Sequence, residues 1–578
     1  MSDRDVVINR YPYRDSIILF AIVVIGIVIR AKLVTYNLPI CATVDERIAL
    51  GLLDRLQNVS LNPDYFHKPT FFYYIVLFLL KPFAGAHNML FYGRAINLVI
   101  GGAFAVSVFL LTRHLYKTAI PAHLAAALVM FSPVIVRNSS YIVTDILMMV
   151  LIVMAILFFG KFFENYNYKY WFLGIACTGL AISTKYTALI LAVAYVIFEF
   201  SRIFVRSPSP EVPKTQTNEN PINRVLNYQL QPRIIVILLI VLAASLLLAY
   251  AFFPKDFLIS IIQGSGDLNS TFDEQDLIFL NSLRTKLLHA GIVVALIALA
   301  AGRFPWIVKP FCPVRPYIGL GLMGIFFILG SPFVLVSWKT FLYDFGSELK
   351  GNELSDEGQQ WLAYIYRYFD RESIIIFGFF FVGLWHSFKT GKKIGLLIIY
   401  TVLSYAAIGS ATRGFERYLT GILPAIFIIA SWGLYTLSLS LAKYKREMKY
   451  LFLIVIFLIS IELVPKISTV LARADRKDEM YRSYVVIQDL KPERVYHAGF
   501  SPHLELKFQG FDVEHVPQQW LTEENNRELL QKVQANEVLM VDREIEQQMS
   551  QTLRKNLQLL WSLEKGYGQY IYQKAEEK

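Results

Sequence analysis

Two carboxylates stand side by side in "CATVDERIALG" (41–51), Asp45 and Glu46, directly after the first long apolar run. A carboxylate held at a membrane surface can take a proton from an attacking hydroxyl. The same stretch has a plainer description. Thr43-Val44-Asp45-Glu46 has the S/T-x-x-E form of a capping box, whose outer side chains satisfy orphan amides at a helix start. Further along come His67-Lys68, Arg94, Asp145, Lys185, Arg413 and Arg417. Cations of this kind can stabilise charge developing on a phosphate. They too have structural alternatives. His67-Lys68 reads as a wet approach to Pro69, and Arg94 and Lys185 as side chains snorkelling to head groups. Asp145 reads as a cap, and Arg417 as an interfacial anchor.

The elements that position these residues decide between the readings. The chain has 578 residues, 55% hydrophobic and 17% charged, where a soluble protein carries roughly 25% charged residues. The apolar excess sits in fourteen runs, roughly 16–35, 69–84, 92–112, 119–136, 141–160, 170–184, 186–204, 234–252, 287–301, 317–336, 372–388, 394–410, 418–440 and 450–467. Most approach the roughly 20 residues that cross a bilayer. The first is too long for a signal-peptide core and lacks a small-residue cleavage site, so it reads as a retained anchor. The net charge of +11 reports cytoplasmic loops rather than nucleic acid.

Loop charge fixes the expected topology. If 69–84 crossed, "KTGKK" (389–393) and "KYKREMK" (443–449) would fall outside, against the positive-inside bias. If it lies along the outer surface instead, these loops fall inside together with "RHLYK" (113–117), the 202–233 segment and "GRFPWIVKPFCPVRP" (302–316). The expectation is thirteen crossings, an inner N-terminus and an outer loop 36–91 carrying two interfacial helices. The membrane domain covers 1–469, with a Pro/Ser/Thr/Asn-rich cytoplasmic linker at 206–232. Beyond 470, "YVVIQDL", "RVYHAGF" and "EVLMVDR" read as short strands alternating with helical "TEENNRELLQKVQ". This gives a small extracytoplasmic α/β domain over 470–578. The three cysteines, Cys41, Cys177 and Cys312, fall on the outer side, within the membrane and on the cytoplasmic side, respectively, so none pairs with another.

On this topology the ionisable residues gather at the outer face, where positive charge opposes the usual bias. An ionisable group within a span costs about 2.5–3.5 kcal/mol on insertion scales and is a functional candidate by default. Carboxylates and cations converging there suit a substrate with both a phosphate and an apolar tail, such as a polyprenyl-phosphate sugar.

Several stretches resemble one family. "VDERIALGLL" (44–53), "YFHKPTFFYYIVLFLLKPFAG" (65–85), "YGRAINLVIGG" (92–102) and "GLAISTKYTALILA" (179–192) are similar in order and spacing to motifs of the polytopic GT-C glycosyltransferases. The group in question joins protein O-mannosyltransferases and the lipid A aminoarabinose transferase. "YIVTDILMM" (141–149) and "RYLTGILPA" (417–425) agree more loosely. The resemblance implies inverting transfer of a monosaccharide from a polyprenyl-phosphate donor to an acceptor hydroxyl on the extracytoplasmic side. Asp45 matches the catalytic acidic position, with Glu46 beside it as a second candidate. Lys68 and Arg94 match donor-phosphate contacts. Lys185 and Arg417 join them as phosphate candidates, and Asp145 and His67 as further site candidates. His67 departs from the aminoarabinose transferases, which carry Glu there and bind a divalent metal. Imidazole can also ligate zinc, but no second and third ligand are evident, so metal dependence stays open. The family's mannosyltransferases hold a β-trefoil domain for which this chain lacks space.

The expected partners are the lipid donor, membrane lipids and a hydroxyl acceptor on protein, lipid or glycan. The setting is a bacterial inner membrane with the site facing the periplasm or exterior, or an endoplasmic reticulum membrane. A flippase for a lipid-linked sugar would use the same cations without needing Asp45 as a base, although no internal repeat of the kind that builds many transporters is evident. A surface-glycan polymerase or ligase is the third reading.

Overall fold

The computed structural model describes residues 12–41, 43–80, 89–205, 231–252, 274–304, 313–351, 360–390, 394–411, 415–443 and 450–472 and, with short interruptions, 479–574. Linker residues 206–230, Cys312, Arg413 and most of the helix expected over 522–534 lie outside the described residues.

The chain is mostly helical, because a backbone in lipid must satisfy its own polar groups. Among the described residues, five helices are long and apolar enough to cross a membrane: α1 (Pro12–Val34), α4 (Met89–Tyr116), α7 (Asp145–Asn165), α17 (Leu423–Ala442) and α18 (Leu451–Ala472). A sixth candidate is the pair α14 (Trp361–Arg371) and α15 (Ile374–Lys389), bent by 115° at their junction. Shorter apolar helices include α5 (Ala119–Phe131), α8 (Tyr168–Ile182), α9 (Leu189–Val205), α12 (Arg315–Gly330) and α16 (Gly395–Ser410), alongside α10 (Pro232–Phe252) and α11 (Glu274–Arg303). This is a multi-pass membrane protein.

The run expected at 119–136 is broken. Ser132 caps the short α6 (Pro133–Asn138), its Oγ accepting from the Ile135 amide, and Pro133 opens that helix. Within the run at 69–84, the described residues form α3 (Phe71–Leu80).

The main core joins α4, α5, α7, α8, α9, α16 and α17. Gly383 of α15 and Gly433 of α17 let those two backbones touch, and a Cβ at either would collide with main-chain atoms of the other. A second core packs α2 (Val44–Asn58) and α3 against the start of α4. Between α12 and α14 lies α13 (Trp338–Gly351). One side of α13 carries Phe341 and Phe345, which stack and meet Tyr186.

The C-terminal region holds a mixed five-stranded sheet: β1 (Val495–Ala498), β2 (Val513–His515), β3 (Val538–Asp542), β4 (Leu557–Leu563) and β5 (Gln569–Lys574), in the order β2-β1-β3-β5-β4. β1 runs parallel to β2 and β3, while β5 is antiparallel to β3 and β4. Two of the expected strands form as read. "YVVIQDL" does not: it belongs to helix α19 (Glu479–Leu490). An unbroken apolar run has no period of its own, and Tyr484 and Ile487 share one buried helical face against the sheet. Ile40, from the loop between α1 and α2, packs into that same cluster.

Candidate active site

The site is built on the start of α2. Thr43 caps the helix, its Oγ1 accepting from the Glu46 amide at 3.2 Å. That fixes where the two carboxylates emerge, and they go to different places.

Glu46 turns inward. Both its oxygens accept from Arg94, Nε to Oε1 at 2.7 Å and Nη2 to Oε2 at 2.7 Å, with both side chains fully buried. Arg94 Nη1 also donates to the Val34 carbonyl at 3.1 Å and to that of Tyr36, and Nη2 reaches the Ile40 carbonyl at 3.5 Å. The Ile142 amide donates to Glu46 Oε1 at 3.2 Å. This network ties the α1–α2 loop, α2, α4 and the approach to α7 together. Arg94, expected as a phosphate contact, lies in this dry interior with its donors aimed at Glu46 and three carbonyls.

Asp45 turns outward. Lys68 bonds Oδ1 and Arg417 bonds Oδ2. The three side chains keep 20%, 22% and 28% of their surface exposed, enough for a ligand to reach them. They come from three separate parts of the chain. Lys68 precedes α3, and Arg417 lies in a 3-10 turn, Glu416–Gly421, before α17. Burial is the largest influence on the Lys68 ammonium and lowers its pKa.

A second pair stands beside the first. Lys185 Nζ donates to Asp145 Oδ1 at 2.7 Å. Asp145 opens α7, and Lys185 lies between α8 and the 3-10 turn Tyr186–Ala188. Tyr418 joins the two pairs: Lys185 Nζ lies 5.5 Å and Arg417 Cζ 5.6 Å from its ring centroid.

His67 faces the other way, toward α13. Its Nε2 is 3.3 Å from Asp344 Oδ1, and its Nδ1 is 3.4 Å from Glu348 Oε1 and 3.2 Å from Ser347 Oγ. Asp344 also accepts the Phe66 amide, and the Phe66 carbonyl accepts the Tyr186 hydroxyl at 2.6 Å. The segment carrying Lys68 is thus pinned from both sides. The bond to Glu348 is the largest influence on His67 and raises its pKa, while burial raises that of Asp344. The two carboxylates meet opposite nitrogens of one ring and do not converge on a point. Among the described residues no three His, Cys, Asp or Glu side chains could hold a metal ion. The described residues therefore offer His67 no metal cage.

Asp344, Glu348 and Tyr418 were missed by sequence reasoning. Asp344 and Glu348 lie on an amphipathic helix outside the apolar runs, where charges are ordinary. Tyr418 adjoins the Arg417 singled out, and that adjacency was its only signal.

Residues 67–210 match a family profile described as dolichyl-phosphate-mannose-protein mannosyltransferase. No curated protein matches the chain significantly. Among solved structures, ArnT from Cupriavidus metallidurans bound to undecaprenyl phosphate is similar at a TM-score of 0.51 and 10% identity, over 96% of this chain and 98% of that one. The archaeal oligosaccharyltransferase AglB from Archaeoglobus fulgidus, in complex with an inhibitory peptide and a dolichol-phosphate, is similar at 0.50 and 11%, over 96% and 74%. An Archaeoglobus fulgidus oligosaccharyltransferase in the apo form gives 0.50 and 12%, over 93% and 70%. The fold is that of the GT-C enzymes. Residues 67–210 are thus similar to mannosyltransferases that work from a lipid-phosphate sugar, and the resemblance drawn from the sequence is borne out.

Proposed function

We propose that the chain transfers one sugar, with inversion, from a polyprenyl-phosphate donor to a hydroxyl acceptor on the extracytoplasmic face. Asp45 is the base, and Lys68, Arg417 and Lys185 hold the phosphate. The observation that carries this reading is the meeting of Lys68 and Arg417 on the two oxygens of Asp45. Two side chains from the loop after α1 and a third from far along the sequence converge, partly exposed, with the charges the reaction needs.

The acceptor oxygen attacks the anomeric carbon and the bond from that carbon to the phosphate oxygen breaks. The acceptor proton passes to Asp45. The lipid phosphate leaves with one more negative charge, stabilised by the cations. No acid is needed for so good a leaving group. Both oxygens of Asp45 are engaged by cations. A donor phosphate competes for the same cations, so its arrival frees the carboxylate for the acceptor. Glu46 and Arg94 hold the frame from which Asp45 projects.

The undecaprenyl phosphate and dolichol-phosphate bound by the similar structures support a polyprenyl donor here. The loop charges support thirteen crossings, with 36–91 and the domain over 470–578 outside. A bacterial inner membrane, or an endoplasmic reticulum membrane, provides that setting.

The test is an assay on purified protein for polyprenyl phosphate released in the presence of acceptor. Wild-type protein should release it and Asp45→Asn should not. Equal release by both would overturn the mechanism. Translocation of intact lipid-linked sugar without release would identify a flippase.

A further inference from the structure

Among the clusters around the site, one ring is shared by two cations that no acidic side chain among the described residues joins. Arg417 and Lys185 each lie over Tyr418, at 5.6 and 5.5 Å from the ring centroid. Their carboxylate partners, Asp45 and Asp145, belong to separate elements. Two like charges drawn to one place repel each other. A ring face attracts both through its quadrupole, most strongly where water is scarce.

The ring itself is held firmly. Phe415 packs edge-on against Tyr418 at 5.6 Å and 86°. Glu416 accepts from Arg371 Nη2 at 2.7 Å and Arg137 Nη1 at 3.2 Å. The Thr420 hydroxyl accepts from Asn138 Nδ2 at 2.8 Å. The turn is therefore fixed on both sides of Tyr418 by groups from α6 and α14. The ring does not depend on either cation for its place.

We infer that Tyr418 is a positioning residue whose ring holds Arg417 and Lys185 as one receptor for the phosphate of the lipid donor. When the phosphate draws the cations from their carboxylates, the ring keeps them together. This rests on the phosphate role proposed above for Arg417 and Lys185. The ring, not the hydroxyl, is what counts.

The probe is undecaprenyl phosphate, titrated into the full-length protein in nanodiscs. Tyr418→Phe keeps the ring and should leave the dissociation constant within about twofold of wild type. Tyr418→Leu removes the quadrupole at two cations and should weaken binding about 5- to 30-fold. A series of phenylalanines at 418 carrying one, two and three fluorines keeps the shape while draining the ring face, so it reports even if the leucine variant fails to fold. Binding should weaken stepwise along it. A flat fluorine series, or a Phe variant as poor as Leu, overturns the inference. Lys68→Ala and Arg417→Ala separate this from failure of the wider reading. If both bind normally, the phosphate role itself is wrong. If both are weakened while the fluorine series is flat, only the ring's role is wrong.

Discussion

Glu46 and Arg94 form a two-bond ion pair from which water is excluded on both sides. The neighbouring Asp45 makes its ion pairs where a ligand can reach. Adjacent residues on one helix start therefore divide the work into frame and chemistry. The division follows from helix geometry, since consecutive side chains point about 100° apart.

Breaking the buried pair leaves an uncompensated charge, which costs about 3–5 kcal/mol. Glu46→Gln and Arg94→Ala should each lower thermal stability in detergent markedly. Undecaprenyl phosphate binding by the surviving folded fraction should stay near wild type. Normal stability with weakened binding in Arg94→Ala would return Arg94 to the phosphate role that the sequence suggested.

Asp45→Asn should behave in the opposite way. Asn suits the first turn, and the cap belongs to Thr43, so folding survives. Loss of a general base typically costs 10²–10⁴-fold in rate. Glycosyl transfer should fall by about that range while the melting temperature holds. Near-normal transfer would remove Asp45 from catalysis.

The same substitution carries a second sign. Asp45 competes with phosphate for Lys68 and Arg417, so neutralising it should tighten undecaprenyl phosphate binding even as turnover collapses. Lys68→Ala and Arg417→Ala remove charge-assisted bonds of about 1.5–3 kcal/mol and should weaken binding roughly ten- to a hundredfold. Titration of the three variants side by side checks this. Weaker binding in Asp45→Asn would mean that the carboxylate helps to hold the ligand rather than competing with it.

Asp45, Lys68, Asp145, Lys185 and Arg417 stood out in the sequence because charge inside or beside an apolar run is costly and conspicuous, and the structure sets them in two neighbouring ion-pair groups. What the sequence did not supply was pairing. Arg94 looked like the other cations, and only tertiary structure shows it beside Glu46 and three carbonyls. Asp344 was hidden because α13 has an ordinary amphipathic composition. The helix α19 was misread because four consecutive apolar residues fit a strand and a helix equally well. The mixed sheet beyond it was partly readable because β1 and β3 are short apolar segments bounded by polar ones.

His67 gives a pH-dependent prediction. Its Nδ1 meets Glu348 and Ser347, and its Nε2 meets Asp344. Lys68, the next residue, pulls the other way, but the net shift is upward from 6.5, led by the bond to Glu348. A group whose folded pKa lies above its unfolded one adds stability that is complete below the unfolded value. That stability is lost as pH rises through the folded value. The contact between 66–68 and α13 should therefore be tight in mildly acidic buffer and loosen as pH climbs from about 6.5 through the raised value. Hydrogen exchange over 338–351, corrected for intrinsic rates, should show less protection on the alkaline side. His67→Ala should abolish the dependence, and Glu348→Gln should move its midpoint down. Protection that rises with pH, or that is unchanged by His67→Ala, would show that the imidazole does not hold α13 in place.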